Sequence, residues 1–200
     1  MTQTDLSAPL PLPVASAEMV ARLARRRSAP AQSLIAPGPS CSEVEQILTL
    51  GARTPDHGKL FPWRFVVMGP DGRADMAARL TALAARQHRA EKDTKVLAKL
   101  ANPPMTIMVV SSPIHGHKVP VWEQQLSAGA VCMNLEHAAD ALGYSASWIT
   151  DWYAYDPEAT ELFGIKDGEA IVGFIHLGTL AEGPLERPRP DLNSKVEYRA

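Results

Sequence analysis

Cysteine is nearly absent from this 200-residue chain, with two residues only. Cys41 and Cys132 have neither metal-ligand spacing nor a small secreted scaffold around them, which excludes a disulfide framework and a zinc site. Long apolar runs are missing too. No window approaches the ~18 consecutive apolar residues of a membrane-spanning helix, and Met1 to Pro13 lacks the basic and apolar regions of a secretory signal. These absences predict a cytoplasmic chain with no membrane partner. No charge sign prevails: 20 Lys and Arg against 22 Asp and Glu leave a net charge of −2, which argues against nucleic-acid binding. Internal repeats are absent. So are the G-x-S-x-G, P-loop and G-x-G-x-x-G patterns, which removes the usual hydrolase, phosphoryl-transfer and Rossmann readings.

What is present is a globular composition, 46% apolar and 21% charged, long enough for one domain with a substantial core. Three regions are expected: a flexible segment over 1–15, one folded domain over 16–180, and an irregular Pro- and Arg-rich tail over 181–200. Ser16 is a candidate N-cap for a helix to Arg27, with Met19, Val20, Leu23 and Ala24 as its buried stripe. Ser42 and Glu45 read as a capping box for a helix through Ala52. Strands are predicted near residues 64–68, 106–110, 144–149 and 170–177. The charged helical stretch 74–100 reads as a solvated outer surface without chemistry. The strongest helix, 119–142, is expected to be buried along most of its length, with the small residues around Gly129 marking a close helix-helix contact, within the chain or across a dimer axis. Asp156-Pro157 starts a short helix. The element order suggests a sheet flanked by helices.

Two polar clusters carry the candidate chemistry. Arg25, Arg26 and Arg27, followed by Ser28, close the first helix, where cations also suit the helix dipole. The loop Arg53 to Phe65 holds Arg53, Asp56, His57 and Lys59 between two prolines that keep it out of helix and sheet. Together they read as a split site for an anionic ligand. His115 and His117 form an H-x-H pair with no acidic or cysteine partner, so no metal site is expected. His137, His176 and Cys132 read as core or interface residues.

The order of motifs resembles the nitroreductase family of FMN flavoproteins, in its small YdjA-type branch. The likeness rests on the Arg-Arg-Ser run, the Pro-Asp-His loop ending in Pro62-Trp63, residues 117–129, Gly143 to Thr150, and Ile171 to Gly178. It covers about residues 16–180. The resemblance implies an α+β homodimer with a mixed central sheet, a long buried central helix and FMN at the subunit interface. It implies that Arg26, Arg27 and Ser28 bind the flavin phosphate and ribityl chain, with Arg187 and Arg189 as a second basic pair. Arg53 and His57 would reach the flavin held mainly by the other subunit, and Trp148, Ile149 and Thr150 would pass along its ring. Many relatives carry glycine where this chain has Asp151, so a carboxylate enters the expected site. Such a protein would pass hydride from NADH or NADPH to an electron-poor acceptor such as a nitroaromatic or quinone, with no protein group acting as catalytic acid or nucleophile. Reductive dehalogenation, flavin cleavage and a non-enzymatic FMN store or sensor are the competing readings.

Overall fold

Local signals set most element boundaries in the computed structural model, which describes residues 9–199; the expected flexible segment 1–15 lies partly outside them. Helix α1, Ala17–Arg25, starts where the Ser16 hydroxyl accepts the Met19 amide, as expected. Helix α2, Cys41–Gly51, is capped two residues earlier than predicted. Ser40 and Glu43, not Ser42 and Glu45, make the reciprocal capping box, because Ser40 keeps the extended backbone an N-cap needs. The remaining elements are β1 (Trp63–Met68), α3 (Pro70–Arg86), α4 (Glu91–Lys95), α5 (Ala98–Ala101), β2 (Met105–Ser111), α6 (Val121–Ala141), β3 (Ser145–Ile149), α7 (Pro157–Leu162) and β4 (Ala170–Gly178). Asp156 caps α7 as its Asp-Pro start predicts.

The strands align in the order β1-β2-β4-β3, and every adjacent pair is antiparallel. The α+β architecture with a long central helix is as expected, but within this chain the sheet is antiparallel rather than mixed. The reason is topological. Strands β2 and β3 run in the same direction across the α6 crossover, and β4 inserts between them, converting a parallel pair into two antiparallel ladders. One face of the sheet packs Ile107, Val109, Ile175 and Leu177 on α2 and α6; the other packs Met108, Val110 and Phe174 against α3 and α7. With both faces covered, β2 and β4 read as nearly unbroken apolar runs.

Two expectations differ from the packing within one chain. The stretch 74–100 is three helices, not a solvated surface: Met76, Leu80, Leu83, Leu97 and Leu100 are buried in the core, and the chain turns at His88 with φ of 52°. The stripe on α1 is not buried at all within one chain, since Met19, Val20 and Leu23 remain exposed. Within one chain the close helix contact falls at Gly51, and Gly129 makes none. A β-carbon at Gly51 would overlap Leu135 of α6, whereas Gly129 has open space around it. Helix α6 thus buries one face, including Ala128, Val131, Leu135 and Ala139, and leaves Trp122 and Leu126 exposed on the other.

Candidate functional site

The Arg-Arg-Ser run does not continue α1. After Arg25 the backbone turns extended at Arg26 (φ −54°, ψ 128°), and the Ala29 amide donates to the Ala146 carbonyl at 2.9 Å. That bond uses the free edge of β3, the last strand of the sheet. It sets Arg27 and Ser28 beside Ser147, Trp148 and Ile149. From the other side the tail returns: Arg27 Nε donates to the Leu185 carbonyl at 3.0 Å, and Arg189 to the Arg26 carbonyl at 3.1 Å. A cleft of about 410 Å³ results, bounded by Arg27, Ser28, Arg187, Trp148, Ile149 and Lys99.

A smaller cleft of about 210 Å³ shares Arg27 and adds Arg25, Arg26, Glu136 and Tyr144. Here Arg26 Nη1 stands 3.2 Å from Glu136 Oε2, and Glu136 Oε1 accepts the Trp148 amide at 3.0 Å. Burial raises the Glu136 pKa, and the Arg26 cation opposes that rise. One buried carboxylate therefore links the arginine run to the strand end that walls the larger cleft.

Two further features shape that wall. Lys99 Nζ lies 3.0 Å from Asp151 Oδ2, so the carboxylate here is paired with a neighbouring cation. The Trp148 indole lies over Gly173 of β4 and donates to the Val172 carbonyl at 3.3 Å. A β-carbon at position 173 would overlap the indole.

Other expected site residues stand elsewhere in the single chain. Thr150 accepts the Tyr155 hydroxyl at 2.9 Å and does not line the cleft. Arg53 borders a separate cleft of about 330 Å³ with Met19, Leu50, Asn134 and His137. His57 Nδ1 is 2.7 Å from Glu123 Oε2, stapling its loop to the start of α6. Asp56 orders the same loop by accepting the Phe61 amide at 2.7 Å, and Ser127 holds it from α6 through the Pro55 carbonyl at 2.8 Å. His176 is fully buried, as a core histidine. Cys132 is also buried, which pushes its thiol up to about 12 and leaves it unreactive. Among the described residues, no three His, Cys, Asp or Glu side chains converge in a metal-binding group, and no helix is long and apolar enough to cross a membrane.

Sequence reasoning missed Lys99, Glu136 and Gly173. Lys99 lay in a stretch read as inert helix. Glu136 sat in a helix that also carries Glu123 and Asp140, and a lone charge on its buried face was the one available signal. Gly173, inside a strand of otherwise bulky residues, carried the usual mark of a close approach.

The chain belongs to the nitroreductase family, whose model matches residues 24–179. It is 37% identical over 161 residues to "Putative NAD(P)H nitroreductase YdjA" of Escherichia coli, covering 78% of this chain and 85% of that protein. Its fold is similar to that of a nitroreductase-like family protein from Bacillus cereus, with a TM-score of 0.78 at 19% identity over 94% of this chain and 98% of that one. A nitroreductase-family structure from Desulfovibrio desulfuricans, solved in complex with FMN, superposes with a TM-score of 0.72 at 19% identity, covering 92% of this chain and 99% of that chain.

Proposed function

We propose that this protein is an FMN-dependent NAD(P)H oxidoreductase that works as a homodimer. The observation that carries the reading is the convergence of Arg27, Ser28 and Arg187 with the Trp148-Ile149 strand end on one cleft. These residues fit the cofactor. Guanidinium forks suit phosphate oxygens bidentately, a hydroxyl suits the ribityl chain, and an indole beside exposed strand backbone suits the edge of a flat ring. When bound, FMN supplies the redox chemistry, taking a hydride from NADH or NADPH and passing it to an electron-poor acceptor such as a nitroaromatic or a quinone.

The protein's own groups bind and orient. Arg27 and Arg187 hold the phosphate, with Arg26 and Arg189 supporting them through the contacts between run and tail. Trp148 and Ile149 wall the ring, and the partner copy brings Arg53 and His57 from the loop that Ser127 and Asp56 order. The exposed apolar face of α1 and Leu126 of α6 supply the surface that a second copy covers. No side chain in the cleft is needed as acid or nucleophile, so nothing there resembles a catalytic triad.

The test is an absorption spectrum of the purified protein after gel filtration, followed by anaerobic titration with NADH and with NADPH. Flavin bands that co-elute and bleach with either nucleotide support the reading and name the donor. In the same assay the double variant Arg27→Ala/Arg187→Ala is expected to bind FMN at least tenfold more weakly. A protein that stays colourless after incubation with excess FMN overturns the assignment.

A further inference from the structure

Asp151 and Lys99 make an ion pair that no binding contact explains. Lys99 comes from the short helix α5 and lines the main cleft, whereas Asp151 follows β3 and does not. Their charged atoms are 3.0 Å apart, with the lysine side chain 34% and the aspartate 18% exposed. The other Asp151 oxygen accepts the Trp152 amide at 2.8 Å, so the carboxylate is held on both sides and cannot follow the lysine if the latter swings. The aspartate therefore fixes where the ammonium stands, at the end of the strand that carries Trp148 and Ile149. It also changes what the cleft feels. The potential of a lone ammonium falls as the inverse of distance, whereas that of an ammonium backed by a carboxylate is a dipole's, which falls one power faster.

We infer that Asp151 is a potential-setting residue: it positions Lys99 on the cleft wall and cancels part of its charge, keeping the reduction potential of the bound flavin low. The inference rests on the FMN reading above. The physical link is that reduced flavin at neutral pH tends to an anion and oxidised flavin is neutral at the ring, so a cation on the wall stabilises the reduced form selectively. With Asp151 in place, that stabilisation comes from a neutral pair. Without its charge, it comes from a full positive charge already seated at the wall. Protein with the native pair therefore favours donation of electrons to the acceptor over retention of them.

The experiment is a dye-equilibrated anaerobic titration of FMN-loaded protein, giving the midpoint potential, with the Kd of oxidised FMN measured alongside. Asp151→Asn keeps the acceptor for the Trp152 amide and removes the charge. It is expected to shift the potential to more positive values, with reduced FMN bound roughly tenfold more tightly relative to oxidised FMN, a shift of about 30 mV for two electrons. Lys99→Gln is expected to shift the potential the opposite way, and the double variant to lie between the two. Oxidised FMN binds Asp151→Asn within about twofold of the native affinity. A purely structural role for Asp151 predicts instead weaker oxidised binding and an unmoved potential, and that result overturns the inference. So does a Lys99→Gln potential equal to the native one. Native protein that binds no FMN removes the functional reading and this inference with it, whereas bound FMN with an unmoved potential removes this inference alone.

Discussion

Glu136 and Arg26 face each other at 3.2 Å from positions 110 residues apart, joining α6 to the arginine run. The carboxylate is buried, the guanidinium partly so. Two consequences follow from that asymmetry. Removing Arg26 leaves a buried carboxylate without its cation, whereas removing both charges leaves no unpaired charge and only the Trp148 amide without its acceptor.

Arg26→Ala is expected to destabilise the fold by about 1–3 kcal/mol, less than the ~3–5 of a fully buried pair because Arg26 keeps some contact with water. Adding Glu136→Leu to that variant should restore part of the loss. Urea unfolding of the two variants and the native protein checks this, and equal stability of all three would remove the pair from the account. FMN affinity measured on the same samples separates the structural part of Arg26 from its support of the proposed phosphate site.

His176 sets an acid-side stability window. It is fully buried on β4, with Nδ1 2.8 Å from the Thr106 hydroxyl. Burial, assisted by the Arg73 charge, pushes its pKa from 6.5 down to about 3. Between those values the unfolded chain carries a proton that the native protein refuses, so unfolding free energy rises with pH there. The contribution is complete above pH 6.5 and is lost as pH falls toward 3, at up to about 1.4 kcal/mol per pH unit. His176→Asn should flatten that part of the stability profile. Urea midpoints between pH 4 and 7 with the same slope as the native protein would refute it.

Arg64 ties β1 to the turn before β4 through Glu169, with distances of 2.6 and 2.8 Å to the two carboxylate oxygens. Those bonds, with the Ser112 hydroxyl and Lys166 amide, hold Glu169 down at about 2 against an ordinary 4.5. A depressed carboxylate contributes stability above its unfolded pKa and loses it as pH falls toward the folded one. Arg64→Leu is therefore expected to lower stability at pH 7 and to lose less on acidification from pH 5 to 3. A variant that parallels the native protein across that range would show the pair to be without weight.

Gly173→Ala places a methyl where the Trp148 indole lies. The indole must rotate toward the cleft or the strand must shift, and overpacking of this kind costs about 1–3 kcal/mol. The expected readouts are a changed tryptophan emission maximum and weaker FMN binding. Native emission together with native affinity would mean that the strand gives way without moving Trp148.

The face of α1 and α6 is the fifth test. Val20→Asp with Leu23→Asp is expected to convert a dimer into monomers in sedimentation analysis and to weaken FMN binding, because Arg53 and His57 would no longer arrive from the partner. A native protein that sediments as a monomer with FMN fully bound would contradict the inter-subunit site.

How far these features could be read in advance differs residue by residue. The Asp156 cap, the Pro62-Trp63 exit into β1 and the arginine run were legible because each is a signal over three or four residues. The Ser40 cap was missed by two residues, since Ser40 and Ser42 both present a hydroxyl and only the backbone angle at Ser40 decides between them. Lys99 was hidden in a stretch whose composition suits a surface helix, yet whose leucines are buried. The stripe on α1 is legible as apolar, yet it stays exposed within one chain, because amphipathicity says which side avoids water and not what covers it.

The amino-acid order by itself determined the succession of helices and strands, the Ser16 and Asp156 caps, the apolar runs of β2 and β4 and the family, since each depends on local backbone preference or on a short motif. Tertiary structure alone decided that β4 would insert between β2 and β3, that the edge of β3 would hold the arginine run, and that Lys99 would back onto Asp151 52 residues away. Those pairings join segments far apart in the chain. They arise from the sheet's order and from which edge remains free to accept a hydrogen bond, and no local propensity encodes either.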